Sequence, residues 1–121
     1  MNRKQTIIPK RGEIWLIEFP KNKENRKPWR PCLIISNNIQ NEYGKWIVGA
    51  GMTTKSTKIV EPFEVLSKNN PETGLDETSK LKLNYPRTID KERLKERLGE
   101  VNKEIMERVK KAWEIAFAWD L

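Results

Sequence analysis

The stretch that decides the fold is Lys27-Pro28-Trp29-Arg30-Pro31-Cys32-Leu33-Ile34-Ile35-Ser36-Asn37. It begins as a basic, proline-interrupted loop and becomes a short apolar run that ends at turn-forming polar residues. Such a run, bounded by breakers, is typical of a buried strand. Arg30 stands at the start of this strand, where a planar, permanently charged group on a rigid element suits a phosphate. The alternative is an arginine that only caps the strand edge or stacks on Trp29.

Length and composition predict one small domain. The chain has 121 residues, of which 36% are hydrophobic and 34% charged, so a modest core lies under a densely charged surface. No stretch approaches the ~20 apolar residues of a membrane span, and the basic N-terminus has no apolar signal segment. We therefore expect a single cytoplasmic domain over residues 1–121, with residues 1–9 as a flexible basic arm and no membrane contact.

Cysteine and histidine usage narrows the chemistry. Cys32 is the single cysteine, which excludes an internal disulfide and fits a reducing compartment. The chain has no histidine, so it lacks the commonest general base and the commonest metal ligand. We expect neither a metal site nor a cofactor.

The basic excess is confined to the first half of the chain. Residues 1–60 hold 12 basic and 4 acidic residues, whereas residues 61–121 hold 12 and 13. This polarity indicates a polyanionic partner, with nucleic acid ahead of an acidic membrane. The alternative is a solvated basic face without a ligand.

Patterning along the chain predicts about five or six short strands and then a packed C-terminal helix. The strands that can be placed cover residues 13–19, 30–36, 45–54, 59–66 and 79–85. Glycines in the third strand indicate a bulge or a close backbone approach, and Pro62 restricts the fourth strand to a sheet edge or a bulge. The turn-rich segment 38–44 is predicted as a loop. Alternation in the fifth strand places Leu81, Leu83 and Tyr85 on one face, opposite Lys80, Lys82 and Asn84.

The C-terminal third is predicted to be helical. Asp90 is a typical N-cap for a short helical turn over residues 91–94, and Gly99 breaks the segment that follows. Asn102 is a second N-cap, which begins a long helix over residues 103–119. The apolar stripe of that helix, which includes Trp113 and Phe117, is predicted to pack on the core, with extension into a subunit interface as the alternative. Short strands followed by a packed helix favour a small antiparallel barrel.

Four segments together resemble one known family. The chain is similar to the MazF/PemK endoribonuclease toxins in the segments Lys10-Arg11-Gly12-Glu13-Ile14-Trp15, Arg30-Pro31-Cys32-Leu33-Ile34-Ile35-Ser36-Asn37, Met52-Thr53-Thr54 and Pro86-Arg87-Thr88-Ile89-Asp90-Lys91-Glu92-Arg93-Leu94. Order and spacing match from Lys10 to the end of the chain. The resemblance implies an α+β fold, a small SH3-like antiparallel β-barrel of the CcdB/PemK type, with short helices and a long C-terminal helix.

The resemblance also implies an activity and its partners. It implies a homodimer that cleaves single-stranded RNA, typically mRNA, at a short sequence, and a cognate antitoxin that blocks the RNA groove. It assigns Arg30 and Thr53 as catalytic residues. Thr54 is the alternative to Thr53, because this chain carries one extra residue near Gly49–Gly51.

Two positions depart from the family pattern. Some members carry an arginine and an acidic residue where this chain has Lys82 and Asn84. Lys82 keeps the charge without the bidentate fork, and Asn84 cannot take a proton at neutral pH. Together with Arg87, these two are predicted as further catalytic or RNA-binding residues. Predicted RNA contacts are Trp15, Lys21, Lys23, Arg26, Lys27, Trp29, Lys55 and Ser56.

The implied reaction is attack of an RNA 2′-hydroxyl on its own 3′-phosphate, which yields a 2′,3′-cyclic phosphate and a 5′-hydroxyl without a metal. Arg30 stays protonated, so we assign it to charge stabilisation rather than to base catalysis. The alternative function is a non-catalytic nucleic-acid-binding or topoisomerase-poisoning module on the same barrel.

Overall fold

The computed structural model of the protein describes residues 7–19 and 29–120. Within these ranges the chain forms six strands, two α-helices and one 3₁₀ turn. They are β1 (Glu13–Glu18), β2 (Trp29–Ile34), α1 (Asn38–Tyr43), β3 (Trp46–Thr53), β4 (Glu64–Ser67), β5 (Ser79–Asp90), the 3₁₀ turn (Lys91–Arg93), β6 (Leu94–Glu100) and α2 (Lys103–Ala116). Neither α-helix in these ranges is long and apolar enough to span a membrane.

The strands form one antiparallel sheet in the order β4-β5-β3-β2-β1-β6. The strand that begins at the Arg30 segment is β2, and it lies between β3 and β1 near the middle of the sheet. Leu33 and Ile34 are fully buried, as its apolar run predicts. The predicted antiparallel sheet is thus confirmed.

The core lies on both faces of this sheet. One cluster includes Ile14, Leu33 and Leu81 and packs against Val109 and Ala112 of α2. The other includes Ile17, Cys32, Ile34, Ile47, Ile89 and Leu94. Because β1 is covered on both faces, its sequence is nearly continuously apolar.

The predicted helix caps are confirmed, and one predicted loop is a helix. The side chains of Asp90 and Asn102 accept hydrogen bonds from the N–H groups of Glu92 (3.0 Å) and Ile105 (2.8 Å). Segment 38–44 was predicted as a loop, but residues 38–43 form α1. The side chain of Asn37 caps this helix, accepting from the Gln40 N–H, and the buried Asn41 amide donates to the Ser36 carbonyl (2.9 Å). Asparagine commonly favours a turn, but here both asparagine side chains stabilise a helix.

Other element bounds differ from the predicted ones. β4 begins at Glu64 rather than at residue 59, β5 continues to Asp90, and α2 ends at Ala116. Residues 94–100 form the strand β6, which was not predicted; Gly99 was predicted to break a helical segment here. Gly99 is required there for a different reason: a Cβ at this position would overlap the Glu72 carbonyl oxygen.

β5 contains an irregularity that shapes the rest of the molecule. Lys82 lies opposite Gly51, but Pro86 lies opposite Ala50, so residues 83–85 are extra relative to β3. We call this segment the β5 bulge. The irregularity predicted near the β3 glycines is confirmed, but the extra residues belong to β5. The sequence predicted Tyr85 on the same face as the buried Leu81. The bulge changes this, and Tyr85 is instead 59% exposed.

Candidate active site

A cavity of about 280 Å³ opens beside the β5 bulge. Four chain segments line it: the residue after β1, the start of β2, the end of β3 and the middle of β5. The lining residues are Phe19, Arg30, Pro31, Cys32, Gly51, Met52, Thr53, Lys82, Tyr85 and Arg87. We call this cavity the cationic pocket. It brings together four of the predicted site residues, namely Arg30, Thr53, Lys82 and Arg87.

The pocket is positively charged. Three of its lining side chains are cationic and none of those described is a carboxylate. The Arg87 guanidinium carbon lies 5.0 Å from the centre of the Phe19 ring, and Lys82 Nζ lies 5.0 Å from the centre of the Tyr85 ring. Cations held against aromatic faces at the mouth of a pocket are placed to receive an anion such as phosphate.

The Thr53 hydroxyl is oriented by its own turn. Its oxygen accepts a hydrogen bond from the Lys55 N–H at 3.1 Å. Since the oxygen is thereby used as an acceptor, the hydroxyl hydrogen remains for donation to a ligand. Thr54 lies in the exposed turn that follows and does not line the pocket.

A buried carboxylate forms an ion pair with Lys82. Glu64 of β4 lies 3.7 Å from Lys82 Nζ and 3.2 Å from Lys80 Nζ, and it accepts a hydrogen bond from the Glu61 N–H. Burial raises the pKa of the Glu64 carboxyl, but that hydrogen bond and the two lysines outweigh burial and lower it. Glu64 therefore stays ionised at neutral pH and pairs with the Lys82 ammonium beside the pocket.

Comparison with known proteins identifies the family. Residues 10–117 match the family of PemK-like, MazF-like toxins of type II toxin–antitoxin systems. The chain belongs to this family.

Individual relatives agree with this membership. The endoribonuclease EndoA of Bacillus subtilis (strain 168) is 29% identical over 113 residues, which cover 93% of this chain and 97% of that protein. The endoribonuclease MazF of Staphylococcus saprophyticus is 31% identical over 108 residues, 88% and 89% of the two chains.

Solved structures support the fold. A mycobacterial endoribonuclease in complex with its cognate antitoxin aligns with a TM-score of 0.75 at 24% identity, over 93% of this chain and 98% of that one. A MazE–MazF structure from Deinococcus radiodurans aligns with a TM-score of 0.72 at 18% identity, over 93% and 97%. The six-stranded antiparallel sheet with its helices is thus the fold of MazF toxins.

The other predicted contacts of this toxin do not line the pocket. Trp15 is half-buried and its indole N–H donates to Glu13 (3.1 Å), while Trp29 lies under the Lys95 ammonium, 5.5 Å from its ring centre. Lys55, Ser56, Thr54 and Asn84 are exposed outside it. Lys21, Lys23, Arg26 and Lys27 lie outside the described residues. These RNA contacts remain predictions.

Six lining residues were not predicted as site residues from the sequence, among them two aromatic residues and the cysteine. Tyr85 enters the pocket through the β5 bulge, and Phe19 enters it from the end of β1. Cys32 lines it too, but burial raises the pKa of its thiol to about 12, so a thiolate nucleophile is excluded near neutral pH. Within the described ranges no group of three or more His, Cys, Asp and Glu side chains could hold a metal ion.

Proposed function

We propose that this toxin is a sequence-specific endoribonuclease that cuts single-stranded RNA, with cytoplasmic mRNA as its typical target. The observation that carries the proposal is that Arg30 and Thr53, assigned as catalytic by the family resemblance, line one pocket with Lys82 and Arg87. These residues come from three strands, and their convergence on a cationic cavity suits a phosphodiester. The family match and the endoribonuclease relatives support the same activity.

The proposed reaction is an internal transesterification. The 2′-oxygen forms a bond to the adjacent phosphorus, and the bond from phosphorus to the 5′-oxygen of the next nucleotide breaks. The 2′-hydroxyl loses its proton to water, and the departing 5′-oxygen takes a proton from water. The products are a 2′,3′-cyclic phosphate and a 5′-hydroxyl. Because the nucleophile belongs to the substrate, the reaction requires no metal-activated water and no cofactor.

Charge stabilisation is the main contribution of the pocket. Arg30 binds the phosphate oxygens, and this interaction is strongest in the transition state, where negative charge develops around the five-coordinate phosphorus. Thr53 donates its hydroxyl hydrogen to one of those oxygens. Lys82 and Arg87 hold the neighbouring backbone charge, and the rings of Phe19 and Tyr85 offer faces on which unpaired bases stack. Neither an imidazole nor a carboxylate lines the described pocket, so water rather than a side chain carries the protons.

The proposal extends to the fold and the boundaries of the domain. The turn after β4 meets β6, since the Glu100 N–H donates to the Glu72 carbonyl at 2.8 Å. A Cβ at Gly74 would overlap the Leu98 carbonyl, so the two segments are in backbone contact. This approach of the two sheet edges supports an SH3-like barrel with α2 beside it, a single domain over residues 1–121.

We also propose a homodimer and an antitoxin complex. The cognate antitoxin would block the cationic pocket with an acidic segment, because opposite charge suits that surface. For the homodimer, Trp113 of α2 and Phe117 just after it are both exposed, and their ring centres lie 4.3 Å apart. Trp113 also lines a cavity of about 580 Å³. Adjacent exposed aromatic rings of this kind mark an interface.

Replacing Trp113 by glutamate is expected to convert the dimer to a monomer, because a charge would then be buried at the interface. Sedimentation velocity measures the outcome, with Trp119→Glu as the control at an exposed tryptophan beyond α2. A dimer that persists in Trp113→Glu would contradict this assignment of the interface.

Incubation of the purified protein with a long mixed-sequence RNA in EDTA tests the function directly. We expect discrete cuts, mapped by primer extension, whose ends carry a 2′,3′-cyclic phosphate by mass spectrometry. Folded protein that binds RNA with salt-dependent affinity but leaves it intact would overturn the proposal in favour of a non-catalytic binding module.

Substitution of Thr53 by valine is expected to lower the cleavage rate about 100-fold, the usual effect of removing one transition-state hydrogen-bond donor. Thr54→Val is the matched control and should leave the rate unchanged, because Thr54 lies outside the pocket. Single-turnover rates and thermal melting of both variants check this. If Thr54→Val is the damaging change, the assignment is wrong by one residue.

A further inference from the structure

A second hollow adjoins the cationic pocket. It has a volume of about 360 Å³ and is lined by Ile17, Phe19, Trp46, Arg87, Thr88, Ile89, Asp90 and Arg93. We call it the side hollow. It shares Phe19 and Arg87 with the cationic pocket, so the two hollows lie side by side, with the Arg87 guanidinium and the Phe19 ring between them. An extended strand that passes over this pair of side chains would reach both hollows.

Trp46 gives the side hollow a flat aromatic wall. Its side chain is 50% exposed at the start of β3, and it belongs to neither core cluster. The Lys45 ammonium lies 5.2 Å from its ring centre. An exposed indole bordered by cations is the kind of platform on which unpaired bases stack.

The charge of the side hollow suits a phosphate. Arg87 and Arg93 both line it, and neither forms an ion pair within the described residues. The carboxylate of Asp90 is already engaged, because one oxygen accepts from the Glu92 N–H at 3.0 Å and the other lies 3.7 Å from Lys45 Nζ. Two arginines without carboxylate partners leave a net positive charge in the side hollow.

We propose that the side hollow is a second nucleotide subsite for the same RNA strand. The base next along the strand from the cleaved step stacks on Trp46, its phosphate is bound by Arg93, and Arg87 contacts the phosphate shared with the cationic pocket. This proposal rests on the proposed function, since it takes the cationic pocket as the place of cleavage. It assigns Trp46 and Arg93 a role in substrate length and affinity, outside the chemical step.

The first experiment uses short RNAs centred on the mapped cut, with a 2′-deoxy nucleotide at the scissile step so that the protein binds without cutting. The RNAs are lengthened by one nucleotide at a time on each side, and affinity is measured by fluorescence anisotropy. We expect one added nucleotide to tighten binding at least about fivefold, the effect of one stacked base. Trp46→Ala should lose this gain, and so should an abasic nucleotide at that position. Tyr43→Ala removes another exposed aromatic side chain, outside the side hollow, and should retain the gain.

The second experiment tests the phosphate contact. In Arg93→Gln the negative slope of log affinity against log salt should become shallower by about 0.7, the value for one phosphate contact on a single strand. Arg108→Gln, at an exposed arginine of α2 that pairs with Glu104, should leave the slope unchanged. An unchanged slope in Arg93→Gln would remove Arg93 from the subsite.

If the added nucleotide tightens RNA binding equally in the wild type and in Trp46→Ala, the proposal is overturned. So would a Trp46→Ala variant that loses only antitoxin binding, because the side hollow would then belong to a protein partner. If the protein cuts no RNA, the proposed function is overturned, but the subsite is still tested separately. The same variants are then compared on a mixed-sequence RNA, where weaker binding of Trp46→Ala than of Tyr43→Ala supports the subsite and equal binding overturns it.

Discussion

Replacement of Arg30 by alanine is expected to lower the rate of RNA cleavage at least about 1000-fold, the upper range for loss of one preorganised charge-stabilising group. The guanidinium lies at the exposed start of β2, on the cationic pocket, and in our proposal it meets the charge that develops on phosphorus. Lys82 and Arg87 remain in the variant, so RNA binding should fall much less than the rate. Single-turnover kinetics and anisotropy separate the two effects.

Two further variants sharpen this test. Arg30→Lys keeps the charge and loses the planar fork, so its rate should lie between those of the wild type and Arg30→Ala. Arg108→Ala removes an arginine of α2 far from the pocket and should cut at the wild-type rate. Circular dichroism confirms that each variant is folded. A folded Arg30→Ala variant that still cuts at the wild-type rate would remove Arg30 from the mechanism.

The second large effect concerns stability. Glu64→Gln is expected to lower the free energy of unfolding by about 3 kcal/mol, because it leaves the almost fully buried Lys80 ammonium without its counter-charge. For a chain of this size that corresponds to a fall in melting temperature of about 10 °C. Glu104→Gln is the matched control: its ion pair with Arg108 is exposed, so the change should be less than about 1 kcal/mol. Equal melting temperatures for Glu64→Gln and the wild type would contradict this account.

The same pair predicts a pH dependence. The pKa of Glu64 is lower in the folded protein than its ordinary value of 4.5. A carboxyl with a lowered pKa stabilises the fold fully above its ordinary value, and this contribution is lost as the pH falls through the lowered one. The stability difference between the wild type and Glu64→Gln should therefore be constant near neutral pH and shrink below pH 4.5. Chemical denaturation at a series of pH values measures it.

The sequence predicted best those features that depend on local pattern. Strand β2, the caps at Asp90 and Asn102, and the placement of Arg30 and Thr53 in one pocket all follow from runs, turn residues or a family motif. None of them requires the pairing of strands to be known. The apolar run after Arg30 predicts a buried strand, and Arg30, which precedes that run, lies in the exposed start of β2.

The features that were missed depend on strand register. Alternation assigned Tyr85 to the core face, but three extra residues in β5 turn it into the pocket. Glu64 could not be linked to Lys82 from sequence, because the contact depends on β4 pairing with β5 in one register. Nor does a periodic pattern reveal that α1 forms around the buried Asn41, since Asn41 is held by hydrogen bonds to Ser36 just before the helix rather than by an apolar stripe.

The β5 bulge has a consequence for how such toxins diversify. Pairing between β3 and β5 is regular on both sides of the bulge. Within the bulge Leu83 is fully buried in the core, whereas Asn84 and Tyr85 are exposed. Substitutions at Asn84 and Tyr85 therefore change the surface beside the cationic pocket and leave the core in place. The sheet can thus remain constant while the proposed RNA-binding surface varies, and directed evolution of new cleavage sequences should begin at residues 84 and 85.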